Sequence, residues 1–249
     1  MKQLEGKVAL ITGGGTGVGK AIGLAYARQG AAIAVNYSRS HKEAQQTAQQ
    51  IRAAGTRAMS VQADVSRDQD VRRMVAETCQ QLGRLDILVN SAGTTTYVPH
   101  TDLDALTEEI WDQVLGVNLK GLYFCSRAAA GPMREVGRGC IINIASTSAV
   151  SAHGSSIAYA ASKAGVVSVT KSMARALAPT IQINAISPGV IEDTRWADGW
   201  DEFKEQAQKI TPMGRIVLTA DIAEVALFLA AGSRYITGQN IVVDGGRTM

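Results

Sequence analysis

The sequence predicts a doubly wound α/β fold: a parallel sheet of about seven strands with helices on both faces. Three observations lead there. Short apolar runs alternate with longer amphipathic segments along all 249 residues. The short runs are apolar at successive positions, as strands covered on both faces require. A glycine-rich turn joins the first apolar run to the first amphipathic segment, where such folds receive phosphate groups.

The elements follow in order. Runs rich in Val, Ile and Ala predict strands over 7–12, 31–37, 57–64, 85–90, 139–146, 181–187 and 240–245. Helical spacing covers 18–30, 41–54, 67–82, 104–131, 156–177 and 220–231, with a shorter helix at 200–209. No Pro/Ser-rich linker and no break in composition interrupts them, so residues 1–249 read as one Rossmann-type domain. Within it, 189–212 holds the longest irregular stretch and is expected to cover a ligand crevice at the strand C-termini.

Composition narrows the function. A net charge of +3 with scattered basic residues argues against a nucleic-acid partner. No apolar stretch reaches eighteen residues, and the first is too short for a secretory signal, so no membrane role is expected. Cys79, Cys125 and Cys140 lack metal or redox spacing; no metal site is expected, and the odd number of thiols fits a cytoplasmic location. Cys125 and Cys140 lie in apolar surroundings and read as buried.

The first turn runs Thr12-Gly13-Gly14-Gly15-Thr16-Gly17-Val18-Gly19, with five glycines in seven residues. Glycines let backbone approach a pyrophosphate, and the helix opening at Val18 supplies free N–H groups. Gly14 to Lys20 also spells the start of a P-loop, but Ala21 replaces the hydroxyl that would hold Mg²⁺. A dinucleotide is therefore expected. Its type is decided after the second strand, where Asn36-Tyr37-Ser38-Arg39-Ser40 offers hydroxyls and a cation but no carboxylate. That favours the 2′-phosphate of NADP(H), with NAD(H) use left open.

Tyr159 and Lys163 stand four apart on a helix and share a face, with Ser146 thirteen residues before the tyrosine. A free phenol has a pKa near 10, and a neighbouring ammonium is expected to lower it, so that Tyr159 can exchange a proton with a carbonyl or alcohol. Ser146 is placed to hydrogen-bond the substrate oxygen.

This Tyr-x-x-x-Lys pair with its preceding serine resembles the short-chain dehydrogenase/reductase family. The resemblance takes in the T-G-x-x-x-G-x-G turn, Asp64-Val65, Asn90-Ser91-Ala92-Gly93, Asn118 in VNLKG, Ser187-Pro188-Gly189 and ITGQNIVVDGG, nearly the whole chain. It implies hydride transfer between NADP(H) and a carbonyl or alcohol, of the 3-oxoacyl-carrier-protein reductase type. A sugar or polyol dehydrogenase, or a non-catalytic dinucleotide-binding protein, stays open. It also implies that Lys163 holds the nicotinamide ribose and Asn118 anchors a water behind the lysine. By the same resemblance Asp64 and Val65 flank the adenine, Asn90, Ala92 and Gly93 line the cofactor floor, and Pro188, Gly189, Ile191 and Thr194 lie toward the nicotinamide. Ser91 departs from the usual second asparagine, and VIEDT is one residue longer than the common form. Thr94, Thr96, Ser148, His153, Trp196 and Trp200 are the substrate candidates. A homotetramer is implied, with the 104–131 and 156–177 helices at an interface.

Overall fold

The computed structural model describes residues 2–194, 199, 201–232 and 234–249. Strands β1 (Val8–Thr12), β2 (Ala32–Tyr37), β3 (Ala58–Gln62), β4 (Ile87–Asn90), β5 (Gly139–Ile144), β6 (Ile181–Pro188) and β7 (Asn240–Val243) form one parallel sheet. The order is β3-β2-β1-β4-β5-β6-β7. Helices α1 (Gly17–Arg28), α2 (His41–Ala53), α3 (Asp68–Leu82), α4 (Glu108–Leu115), α5 (Leu122–Glu135), α6 (Ser148–Ser151), α7 (Ile157–Leu177), α8 (Asp201–Lys209) and α9 (Thr219–Leu227) connect them.

The doubly apolar strands bury both faces. In β1, Ala9 and Ile11 join a core with Ile22 and Tyr26 of α1, Ile51 of α2 and Ile222 of α9. Val8 and Leu10 point the other way, to Val71 and Met74 of α3 and Cys125 and Met133 of α5. Each large side chain so buried contributes about 1.5–3 kcal/mol. The Tyr26 hydroxyl donates to the Ala226 carbonyl at 2.8 Å, clamping α1 to α9.

Strand order reverses between β1 and β4, so the connections lead away on either side and leave a crevice at their C-terminal ends. The register sets Thr12 level with Asn90, and Asn90 level with Asn143.

The helix expected over 104–131 differs from the structure. It begins at Glu108, because the Asp102 carboxylate accepts from the Ala105 N–H and holds the preceding residues in a turn. It widens into a π-helical stretch at Gly116–Gly121, then continues through Pro132 to Glu135. The short α6 carries no amphipathic period and was not expected.

Candidate active site

The crevice is a cleft of about 1840 Å³ whose lining includes the first turn, Asp64-Val65, Ala92-Gly93, Ser146, Tyr159, Lys163 and Pro188-Gly189. At Gly13, φ is +62° and an added Cβ would lie 3.0 Å from the Ala92 Cα. At Gly19 a Cβ would come within 2.6 Å of the Gly13 carbonyl oxygen. Only glycine lets the turn fold this tightly against the helix start. The result is a concave backbone cradle at the N-terminus of α1, suited to a pyrophosphate.

The side chain of Asn36 is spent on framework. Its Oδ1 accepts from the Gly13 N–H at 3.3 Å and its Nδ2 donates to the Ala63 carbonyl at 3.1 Å, tying the first turn to the ends of β2 and β3. Ser38 and Arg39 are exposed on the cleft rim. Among the described residues no carboxylate pairs with Arg39, whereas Arg73 is held by Asp70 and Glu77. Asp64 accepts from the N–H and hydroxyl of Ser66, at 3.0 and 2.7 Å, so its carboxylate shapes its own loop. Asn90 donates to Asn143 at 2.8 Å and Ser126 at 3.0 Å beneath the floor.

The structure brings Asn118, Ser146, Tyr159 and Lys163 together. Ser146 lies two residues past β5, and the Ser148 N–H donates to its Oγ at 3.1 Å as α6 begins. Ser156 caps α7 by accepting from the Tyr159 N–H at 3.2 Å, which starts the helix where the phenol faces the cleft. The phenol is hydrogen-bonded to Ser146. Lys163 Nζ donates to the Ile144 carbonyl at 2.9 Å and lies 5.6 Å from the Tyr159 ring centroid. Asn118, in the π-helical stretch, accepts from the Thr94 N–H at 2.8 Å and donates to the Thr94 carbonyl and Ser162 hydroxyl, each at 3.0 Å. Both its amide hydrogens are thereby used. Ser162 donates in turn to the Tyr159 carbonyl at 2.7 Å.

The expected acidification of Tyr159 is not met in this protein alone. Burial pushes its phenol up to about 12, against a lowering by the Ser146 hydrogen bond. Burial likewise pulls Lys163 down to about 8. Both groups lose hydration, and the ammonium is directed at the Ile144 carbonyl.

The remaining expectations divide. Gly15, Thr16, Gly17, Val18, Thr94, Ser148, His153, Ile191 and Thr194 line the cleft, but Thr96 does not. Ile191 bridges to Val217, and an added Cβ on Gly17 would lie 3.6 Å from the Thr194 methyl, so the longer VIEDT segment still reaches the first turn. Trp196 and Trp200 lie outside the described residues. Cys125 and Cys140 are buried, and burial raises both thiols to about 12.

Two features were missed. Thr12 accepts from the Ser91 and Ala92 N–H groups, each at 3.0 Å, so a β1 side chain sets the floor. The C-terminal Arg247, Thr248 and Met249 border the cleft. Nothing local signals either: the first depends on the register of β1 against β4 and the second on where the chain end returns.

A family described as Enoyl-(Acyl carrier protein) reductase matches residues 13–248. The chain is 39% identical over 245 residues to a 3-oxoacyl-acyl-carrier-protein reductase of Staphylococcus aureus, spanning 98% of each chain. It superposes on a 3-ketoacyl-acyl-carrier-protein reductase of Brucella melitensis, solved in complex with NADH, with a TM-score of 0.90 and 36% identity over 99% of this chain and 100% of that one. A short-chain type dehydrogenase/reductase of Mycobacterium marinum gives 0.91 and 36% over 98% and 96%.

Proposed function

This chain belongs to the short-chain dehydrogenase/reductase family, and on that premise we propose that it is an NADPH-preferring ketoreductase acting on 3-oxoacyl-type substrates. The single observation that carries the reading is the convergence of Ser146, Tyr159 and Lys163 on one cleft with the glycine cradle. The residues fit a dinucleotide. The glycines let the first turn pack closely against Ala92, Ala44 and the start of α1, where added Cβ atoms would strike the protein's own backbone, and Arg39 stands ready for a 2′-phosphate. Asp64 and Val65 border the adenosine end, while Pro188, Gly189, Ile191 and Thr194 border the nicotinamide end.

The reduced nicotinamide supplies a hydride to the carbonyl carbon when bound. Everything else falls to the chain. Ser146 donates a hydrogen bond to the carbonyl oxygen and holds it beside the phenol. Tyr159 gives its proton to that oxygen as negative charge develops there. A phenol kept protonated by burial is ready for this reductive direction. The Lys163 ammonium stabilises the phenolate left behind. Asn118 acts as a positioning residue, bracing the 94 loop against α7 through Ser162. The described part of 189–212 lines the cleft through Ile191, Thr194, Phe203 and Ile210, and this segment is proposed as the substrate cover, with His153 and Ser148 on the cleft wall.

Among the described residues no helix is long and apolar enough to cross a membrane. A cytoplasmic location is proposed from the odd number of thiols, and a homotetramer from the exposed small residues Ala161, Ala164 and Ser168 along α7. The test is NADPH oxidation against a panel of ketones, β-ketoesters and sugars. We expect β-ketoesters to be reduced and Tyr159→Phe to lose at least a hundredfold in kcat. Full turnover by that variant on any accepted substrate refutes the mechanism.

A further inference from the structure

We propose that Arg247 is a specificity-determining residue that anchors an anionic group of the substrate, so that the preferred carbonyl compound carries a carboxylate or a phosphate ester. This deepens the ketoreductase reading and rests on it. After β7 the chain turns back into the wall of the cleft that holds Ser146 and Tyr159. The turn is fixed by Asp244, whose carboxylate accepts from the Gly246 N–H at 2.8 Å, the Thr248 N–H at 2.8 Å and the Thr248 hydroxyl at 2.6 Å. Arg247 therefore projects from a braced turn, with its guanidinium 5.7 Å from the Phe203 ring centroid on α8.

That guanidinium is undersatisfied. Its Nε is buried without a hydrogen-bond partner, and among the described residues no carboxylate pairs with it. With Nε closed in by the protein, the guanidinium has its terminal N–H groups to offer the cleft that Arg247 lines, a planar pair of donors that suits a carboxylate or phosphate oxygen. The dinucleotide does not account for it. Arg39 follows β2 and Arg247 follows β7, on opposite sides of the β1/β4 crevice. Asp201 and Glu202 also line the cleft and are exposed, but neither forms an ion pair with Arg247.

The experiment compares matched pairs: acetoacetate with its ethyl ester, and 3-oxobutanoyl phosphopantetheine with 3-oxobutanoyl pantetheine. The first pair reads a free carboxylate, the second a phosphate ester. Steady-state kcat/KM is measured with NADPH for the wild type, Arg247→Gln and Arg247→Lys, alongside equilibrium binding of each compound by calorimetry. We expect the wild type to favour the anionic member of at least one pair by tenfold or more, mainly through KM. Arg247→Gln should reduce that ratio to near one, and Arg247→Lys should restore part of it. No anionic preference in either pair, an equal loss on both members, or a changed KM for NADPH instead of substrate overturns the proposal. If no compound is turned over, the ketoreductase reading fails, and the binding ratio still decides the role of Arg247.

Discussion

At the scale of single residues, burial governs the proton chemistry. Lys163 is pulled down to about 8, so its charge is present below that pH and is lost as pH rises through it. Tyr159, at about 12, remains a proton donor across the same range. The kcat/KM for the dinucleotide, which reports groups of the free enzyme, should stay level near pH 7 in the reductive direction. It should then fall about tenfold by pH 9 as the ammonium titrates. A flat profile to pH 10 would mean that the lysine charge is not needed. Arg39 is a second residue-scale case. Truncation to Ala should weaken NADPH binding by about 1.5–3 kcal/mol, the worth of a charge-assisted contact, and leave NADH nearly unchanged. Equal losses, measured by fluorescence titration, would remove the phosphate contact.

At the scale of elements, each functional side chain is aimed by a local device. Ser156 starts α7 so that Tyr159 faces inward, α6 orients Ser146 through the Ser148 N–H, and the π-helical stretch presents Asn118 to Thr94 and Ser162. The first turn is the tightest of these. A methyl at Gly19 would meet backbone atoms of Gly13 and Gly14 at 2.6 and 3.1 Å, and backbone cannot rotate away as a side chain can. Gly19→Ala is expected to cost about 1–3 kcal/mol in urea unfolding and to weaken dinucleotide binding at least tenfold. Unchanged affinity would show that the turn is not the phosphate cradle. The start of α1 and the spacing of Tyr159 and Lys163 were legible because they rest on glycine chemistry and helical period. The π-helical stretch and α6 were not. A widened turn leaves no trace in hydrophobic spacing, and four residues are too few to show a period.

For the whole molecule, the two cores on either face of the sheet place the reversal of strand order, and hence the cleft, between β1 and β4. The outer face of α7 carries Ala161, Ala164 and Ser168 at helical spacing, and exposed Tyr123 lies on α5. Surfaces this small-sided allow close helix approach, so light scattering at micromolar concentration should report four chains. A monomer there would contradict the proposed assembly.

The amino-acid order alone determined the strand and helix succession, the doubly covered sheet and the glycine turn, and it nominated Ser146, Tyr159 and Lys163, because each is written in local composition and spacing along the chain. Tertiary structure decided what spacing cannot carry. The raised phenol of Tyr159 and the lowered ammonium of Lys163 follow from burial, which withdraws each from water to a different degree. The commitment of Asn36 to backbone groups and of Asn118 to Thr94 and Ser162, the floor held by Thr12 and the return of Arg247 to the cleft follow from which distant segments meet. Burial and long-range contact are properties of the packed chain, and a local pattern does not encode them.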